Sequence, residues 1–310
     1  MSGTQPIVAL ESTVLTHGLP REPRKLSAKF LAAHPEWDES LGVNLALALA
    51  CEDAVRAAGA VPATVAVIDG EPRAGLSRDE LERLAAATDA PKLSLANLGY
   101  ACANRQSGGT TVAATALIAK ANGIRVFSTG GIGGVHRGWG RTLDISADLN
   151  AIATHPVLIV SAGPKAILDL SATMEVIETL GIPTIGMGTR CLPRFTVEPS
   201  PELKISESVD SAAQVASVAN AHWSLRPDCG VLVFQPCPAA FALGSGDAEA
   251  AIERALAEAA SRGIRGAATT PFLLAQLAQA FDGTRILEAN LALLIANARL
   301  AASIAMHLAT

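Results

Sequence analysis

Lys165 stands in the run SAGPKAILD, where a short apolar stretch gives way to a helical pattern. Pro164 suits the first position of a helix, which would place Lys165 in the first turn, at the positive end of the helix dipole. A cation is misplaced there and burial would add to the cost, so the neutral amine is favoured. A neutral amine attacks an aldehyde to form a Schiff base. Position alone leaves a second reading open, a solvated lysine paired with Asp169 one turn on.

Acids supply the next candidates. Glu11 follows an apolar run, and a carboxyl at an apolar strand end suits a general acid as well as an ordinary surface acid. Asp144 and Asp148 stand four apart in DISAD, which on a helix puts both carboxylates on one face. Hard oxygen donors of this kind suit Mg²⁺ or Mn²⁺ with waters completing the shell. An N-cap at Asp144 and a first-turn acid at Asp148 would need no metal.

Two glycine-rich stretches offer anion cradles. In GGIGGVH, residues 130–136, His136 stands where a Rossmann fingerprint wants glycine, and the chain has no Gly-Lys pair for a P-loop. Such a turn still admits a ligand close to the backbone, with Thr129, His136 and Arg137 as donors to a phosphate; the alternative is a tight turn serving only the chain path. In GGTTVAAT, residues 108–115, glycines and hydroxyls open a helix. Free N–H groups there favour anions, unless a threonine merely caps the helix.

These residues sit among Val- and Ile-rich runs that alternate with Ala-rich helical patterns, the signature of an α/β layered fold with a mostly parallel sheet. Strands are expected at 7–10, 64–68, 125–128, 157–161, 184–187 and 231–234. Helices are expected at 45–58, 78–87, 111–122, 165–180, 247–262 and 271–279. Ligands of such sheets bind beyond the carboxyl ends of the strands. That rule singles out Glu11, Thr129 with its glycines, and the segment leading to Lys165. Residues 21–42 break the rhythm with charges, a His34-Pro35 turn and Trp37, and read as a lid or a variable surface loop.

Half of the 310 residues are apolar and 17% are charged, enough for a large buried core. No linker or charge run divides the chain, so one domain over 1–310 is expected. A net charge of -5 without a Lys/Arg cluster argues against a nucleic-acid partner. Cys51, Cys102, Cys191, Cys229 and Cys237 contain no C-x-x-C and suggest neither a disulfide framework nor a zinc ribbon. The start lacks a basic signal-peptide region, and Asn290, Asn297 and Arg299 make residues 289–310 too polar for an unassisted membrane span. A cytosolic protein without a membrane partner is expected.

Taken together, the segments resemble the pseudouridine-5'-phosphate glycosidase family, also called the indigoidine synthase A family. The runs ALESTV, HGLP, GAVPATVAVIDG, GGTTVAAT, STGGIGGVHRG, DISADL, SAGPKAILD, TPFLL and EANLALL carry the resemblance nearly end to end. It implies a three-layer α/β/α fold with a mostly parallel or mixed central sheet, a homotrimer, and a divalent metal, Mn²⁺ ahead of Mg²⁺. It also implies reversible chemistry at a C–C glycosidic bond: ribose 5-phosphate opens to its aldehyde, a lysine captures C1 as an imine, and a carbon of uracil is joined or released. Lys165 is then the Schiff-base lysine, Glu11 the proton donor and Asp144 the metal ligand. Ser146, Ala147 and Asp148 line the sugar phosphate, and Lys92, Val112, Thr129, His136 and Asn290 complete the ligand-binding set. An iminium suits a C–C bond, whose leaving group is poor, better than the paired carboxylates of ordinary glycosidases.

The chain also departs from the family pattern. A Ser-Arg-Arg-Asp run is here Ser94-Leu95-Ala96-Asn97, a Gly-Lys before TPFLL is Gly266-Ala267, and Tyr-Gly-Thr-Asp-Glu-Phe-Pro has become MGTRCLP, residues 187–193. An insertion at 21–42 is expected. Loss of polar groups away from the sugar motifs suggests a changed aglycone. The expectation is therefore a C-glycosynthase joining ribose 5-phosphate to a planar aromatic, polyketide-type acceptor, ahead of pseudouridine-5'-phosphate glycosidase acting on uracil. A non-catalytic sugar-phosphate binder is the alternative of another class.

Overall fold

The computed structural model describes residues 5–264, 269–281 and 283–308. Its strands are β1 (Ile7–Leu10), β2 (Val61–Ile68), β3 (Glu71–Ala74), β4 (Lys92–Leu93), β5 (Gly108–Thr110) and β6 (Val126–Ser128). They continue as β7 (Leu158–Ser161), β8 (Thr184–Met187), β9 (Cys191–Arg194), β10 (Val197–Lys204), β11 (Glu207–Val209) and β12 (Val231–Phe234). Ten of them form one sheet in the order β11-β8-β12-β7-β6-β1-β2-β5-β4, with β3 paired to β2. The pairs from β11 across to β2 are parallel, while β3 and β5 run antiparallel to β2. β9 and β10 make a separate antiparallel hairpin.

The first helices are α1 (Thr13–Thr16), α2 (Ala28–Ala33), α3 (Val43–Ala57), α4 (Arg78–Ala86), α5 (Leu95–Ala103), α6 (Val112–Ala121) and α7 (Trp139–Thr142). The rest are α8 (Ala147–Thr154), α9 (Leu170–Thr179), α10 (Ala212–Leu225), α11 (Ser245–Ser261), α12 (Thr269–Ala280) and α13 (Gly283–Leu308).

Three layers follow from the pleat, because successive strand residues point to opposite faces. Val8, Leu10, Val126, Leu158, Val160, Val231 and Val233 face α3, α10 and α13. Ala9, Phe127, Ile159, Leu232 and Phe234 face α6, α8, α9 and α11 on the other side. Strands buried on both faces are near-continuous apolar runs, which is why the sequence shows them so clearly. Helix α13 is long and apolar enough to cross a membrane, yet Leu291, Leu293, Ile295, Ala298, Ala301 and Ile304 are buried inside the protein.

Three sequence expectations change. Residues 21–42 are no bare surface loop: α2 is capped by Ser27, and Phe30 and Trp37 are buried in the α3–α13 layer with their rings edge-to-face. Glu288 on α13 holds this segment, accepting from Ser27 Oγ at 2.9 Å. The helix expected from residue 165 begins at Leu170, because Asp169 caps it by accepting the Ala172 N–H at 3.0 Å. Lys165 therefore lies in an irregular segment without a helix dipole. Finally, β5 runs through Gly108–Thr110, which had read as part of a helix start.

Strand β2 is what brings β5 to the centre. It outruns β1, pairing with it only from Val61 to Thr64. β5 returns antiparallel along the excess, Ala66 opposite Gly109, so its carboxyl end meets that of β1. Ser12 joins the two ends: its hydroxyl donates to Val65 O and accepts the Thr110 N–H at 2.9 Å. Gly109 is required here, since a Cβ would lie 2.4 Å from Thr16 Oγ1 and 2.6 Å from Ser12 O.

Candidate active site

Glu11 leaves the end of β1 half-buried, and the Thr129 hydroxyl at the end of β6 donates to its carboxylate. Thr129 is held in turn: its N–H donates to Val160 O at 3.0 Å, and its carbonyl accepts Asn297 Nδ2 of α13 at 2.9 Å. Loss of water pushes the Glu11 carboxyl above its ordinary value. The Lys165 charge and the Thr129 bond act the other way, and desolvation outweighs them. An acid so placed keeps its proton to higher pH and can deliver it.

Lys165 reaches the same place along a segment stitched to the glycine turn. Ile132 bridges Pro164, His136 bridges Leu168, and the Lys165 N–H donates to Ile132 O at 3.3 Å. Gly163 has φ +85°, and a Cβ there would lie 2.1 Å from Pro193 O. Arg137 had been a candidate phosphate donor, but its guanidinium is used in the fold. It donates to Leu168 O at 3.3 Å and Ala166 O at 3.4 Å, and it pairs with Glu249 of α11 at 2.9 Å.

Asp148 closes the cradle as a backbone receptor. Ser146 caps α8, accepting the Asp148 N–H at 3.2 Å, and the buried Asp148 carboxylate takes the Ala113 N–H at 3.1 Å and the Gly133 N–H at 2.9 Å. One acid thus ties the start of α6 to the glycine turn, and part of the anion-binding capacity expected at residues 108–115 is taken internally. Thr111 caps α6, accepting the Ala114 N–H at 3.5 Å. A Cβ on Gly133 would lie 2.3 Å from Ser146 Oγ and 2.8 Å from Asp148 Oδ2. Gly133→Ala is therefore expected to displace both groups at a stability loss of about 1–3 kcal/mol, which a melting curve checks.

The two aspartates are not a metal pair. Asp144 precedes α8 rather than sharing a helix face with Asp148, whose oxygens are engaged by backbone amides. Among the described residues no cluster of three His, Cys, Asp or Glu exists. Asp144 is half-exposed, with His136 Nδ1 3.9 Å from its carboxylate. Burial lowers the His136 pKa, Asp144 opposes this and Lys165 adds to it, so the ring is neutral near pH 7. Among the described residues this donor set offers one carboxylate, which would suit a Mg²⁺ or Mn²⁺ that keeps most of its waters.

Lys92, Val112 and Ala147 adjoin this core. Lys92 on β4 is exposed as a residue, yet partial loss of water at its ammonium and the nearby Lys165 charge lower its pKa, while Glu11 and Asp148 oppose this. Val112 is the first residue of α6, and Ala147, the first of α8, is exposed and offers chiefly its backbone. Asn290 lies seven residues before Asn297 on α13, on the same face and about 10 Å further along. Its Oδ1 is buried without a partner among the described residues. The sequence reading missed Asn297 as a site residue, although two asparagines seven apart on an apolar helix were the available signal. It also missed Phe195, whose backbone has φ 62° and whose ring lies where a Cβ on Gly131 would approach within 2.7 Å. Gly266 and Ala267 lie outside the described residues.

A lysine and a raised carboxyl meeting over glycine cradles at strand carboxyl ends define an α/β/α enzyme site. The chain belongs to the indigoidine synthase A-like family, whose sequence profile matches residues 40–307. It is 47% identical over 304 residues to the pseudouridine-5'-phosphate glycosidase of Herpetosiphon aurantiacus, covering 98% of this chain and 93% of that one. It is 45% identical to that of Solibacter usitatus, covering 99% and 96%. Among solved structures it resembles the prealnumycin C-glycosynthase AlnA in complex with ribulose 5-phosphate. That likeness has a TM-score of 0.84 at 37% identity, over 98% of this chain and 92% of that one. An indigoidine synthase A-like protein from Thermotoga maritima gives a TM-score of 0.83 at 29% identity, over 100% and 95%.

Proposed function

We propose that the protein is a pseudouridine-5'-phosphate glycosidase, cleaving the C–C glycosidic bond reversibly to uracil and ribose 5-phosphate. The observation that carries this reading is the placement of Lys165 near a Glu11 carboxyl whose pKa burial raises. Near full-length identity of 45–47% to proteins of that name supports it. The C-glycosynthase expectation rested on a less polar acceptor side, and the changed residues give it little support. Ala96 and Asn97 are exposed, Asn97 closes a capping box with Ser94 and donates to Lys92 O at 3.0 Å, and Arg190 donates to Ser206 O.

In this proposal Lys165 Nζ displaces the ring oxygen at C1, a proton of the amine passing to the hydroxyl so formed; the nitrogen lone pair then forms the C1 iminium as the C–C bond breaks, and that bond's electron pair leaves on the uracil carbon. Glu11 delivers its proton to the departing uracil carbon, with Thr129 fixing the carboxyl, and water then releases ribose 5-phosphate from Lys165. Lys92, the Val112 backbone, His136, Ser146, Ala147, Asp148 and Asn290 hold the sugar phosphate. Asp144 would hold a hydrated Mn²⁺ or Mg²⁺, which supplies positive charge beside the substrate oxygens. The family resemblance supports the same proposal for a homotrimeric state and a cytosolic location.

Release of uracil from pseudouridine 5'-phosphate decides the matter. A turnover of about 1 s⁻¹ or faster is expected. Negligible release, together with coupling of ribose 5-phosphate to planar aromatic acceptors, would instead select the C-glycosynthase.

A further inference from the structure

Glu11 lines a cavity of about 20 Å³ to which Lys165 does not contribute. That is room for one water, which needs about 10–15 Å³ and two to four polar partners. Leucines form much of its wall, with Glu11, Thr64 and Ser128 as the polar residues among its lining. The Thr64 hydroxyl also donates to Glu52 Oε1 at 2.7 Å on its other side. Glu52 is itself buried, and its second oxygen meets Arg56 at 2.6 Å. Arg56 is half in solvent, and both residues line an open surface depression of about 480 Å³. A chain of exchangeable groups therefore runs from the surface to the back of the site.

We propose that Thr64, with one water in this cavity, relays protons between Glu52, beneath the surface depression, and Glu11 in the site. Both Thr64 and Glu52 are positioning residues that act through Glu11. The inference rests on the glycosidase reading for its kinetics, since it concerns how Glu11 recovers the proton it gives to uracil. The step balances: a proton from bulk water enters Glu52 and passes to Thr64 Oγ1. The Thr64 hydroxyl, which donates to the Glu52 carboxylate, turns to the water once Glu52 is protonated and gives its own proton to it, and the water gives one to Glu11. No oxidant or further reactant is required. A bound sugar and base cover the open face of Glu11, so a rear route lets the acid recharge while the site is occupied.

The test compares wild type, Thr64→Val and Thr64→Ser. A crystal structure of the wild type is expected to show an ordered water bridging Glu11, Thr64 and Ser128. Thr64→Val should lower kcat about tenfold or more with KM within about twofold, and Thr64→Ser should restore it. Borohydride trapping of ribose 5-phosphate at Lys165 should persist in Thr64→Val, which shows that its site is intact. A dry cavity, an unchanged kcat in Thr64→Val, or a joint loss of KM and trapping would overturn the relay. A wild type that traps the sugar but releases no uracil counts against the glycosidase reading instead. The presence or absence of the cavity water then decides the relay by itself.

Discussion

Replacing Lys165 with arginine is expected to abolish the borohydride-trapped adduct with ribose 5-phosphate and to lower kcat by about 10⁴-fold or more, the scale on which loss of a covalent nucleophile acts. That factor corresponds to about 5.4 kcal/mol of barrier at 1.36 kcal/mol per tenfold. Arginine keeps a cation beside Glu11 and Asp148, so the electrostatics of the cradle are largely preserved while the nucleophile is lost. Mass spectrometry of the trapped wild type should locate the sugar on Lys165. Lys92 also carries an amine in this cluster and is the internal control. Trapping that survives in Lys165→Arg but vanishes in Lys92→Arg would transfer the nucleophile to Lys92 and overturn the assignment.

The two lysines also show what the sequence could and could not convey. Buried parallel strands are written as unbroken Val and Ile runs, so β1, β8 and β12 fall at the expected positions and Glu11 and Thr129 were correctly placed at strand ends. The helix expected to start at Lys165 was misread because Pro164 satisfies a helix-start rule that Asp169 satisfies better through its side chain. Whether residues 163–168 joined a helix or paired with residues 132–136 depended on long-range bridges that no local pattern encodes. The short β5 was hidden because Gly108 and Gly109 have no strand propensity and are set by the closeness of Leu93 and Ser12. Asp148 was seen as an acid in a useful place, but its commitment to two amides follows from the meeting of α6 and the glycine turn. Phe30 and Trp37 were taken for loop residues because the chain around them is charged, although each buries its own ring.

Glu11→Gln is expected to lower kcat by about 10² to 10⁴-fold, the usual weight of a general acid, while leaving sugar trapping at Lys165 intact. Glutamine keeps an acceptor for the Thr129 hydroxyl, so the variant removes the proton and little else. The wild-type rate should fall as pH rises through the raised pKa of Glu11, and the variant should lack that limb. Stability supplies an independent check on the same group. The ordinary value is 4.5, and desolvation raises it in the folded protein. Between those two values the folded state binds more protons than the unfolded chain, so this residue's contribution to stability is full below the window and is lost as pH rises through it. Glutamine has no such loss. The melting temperature of Glu11→Gln relative to wild type should therefore increase with pH across the window and level off above it. A pH-independent difference would mean that the Glu11 carboxyl is not raised in the folded protein, and the proton-donor role would lose its physical basis.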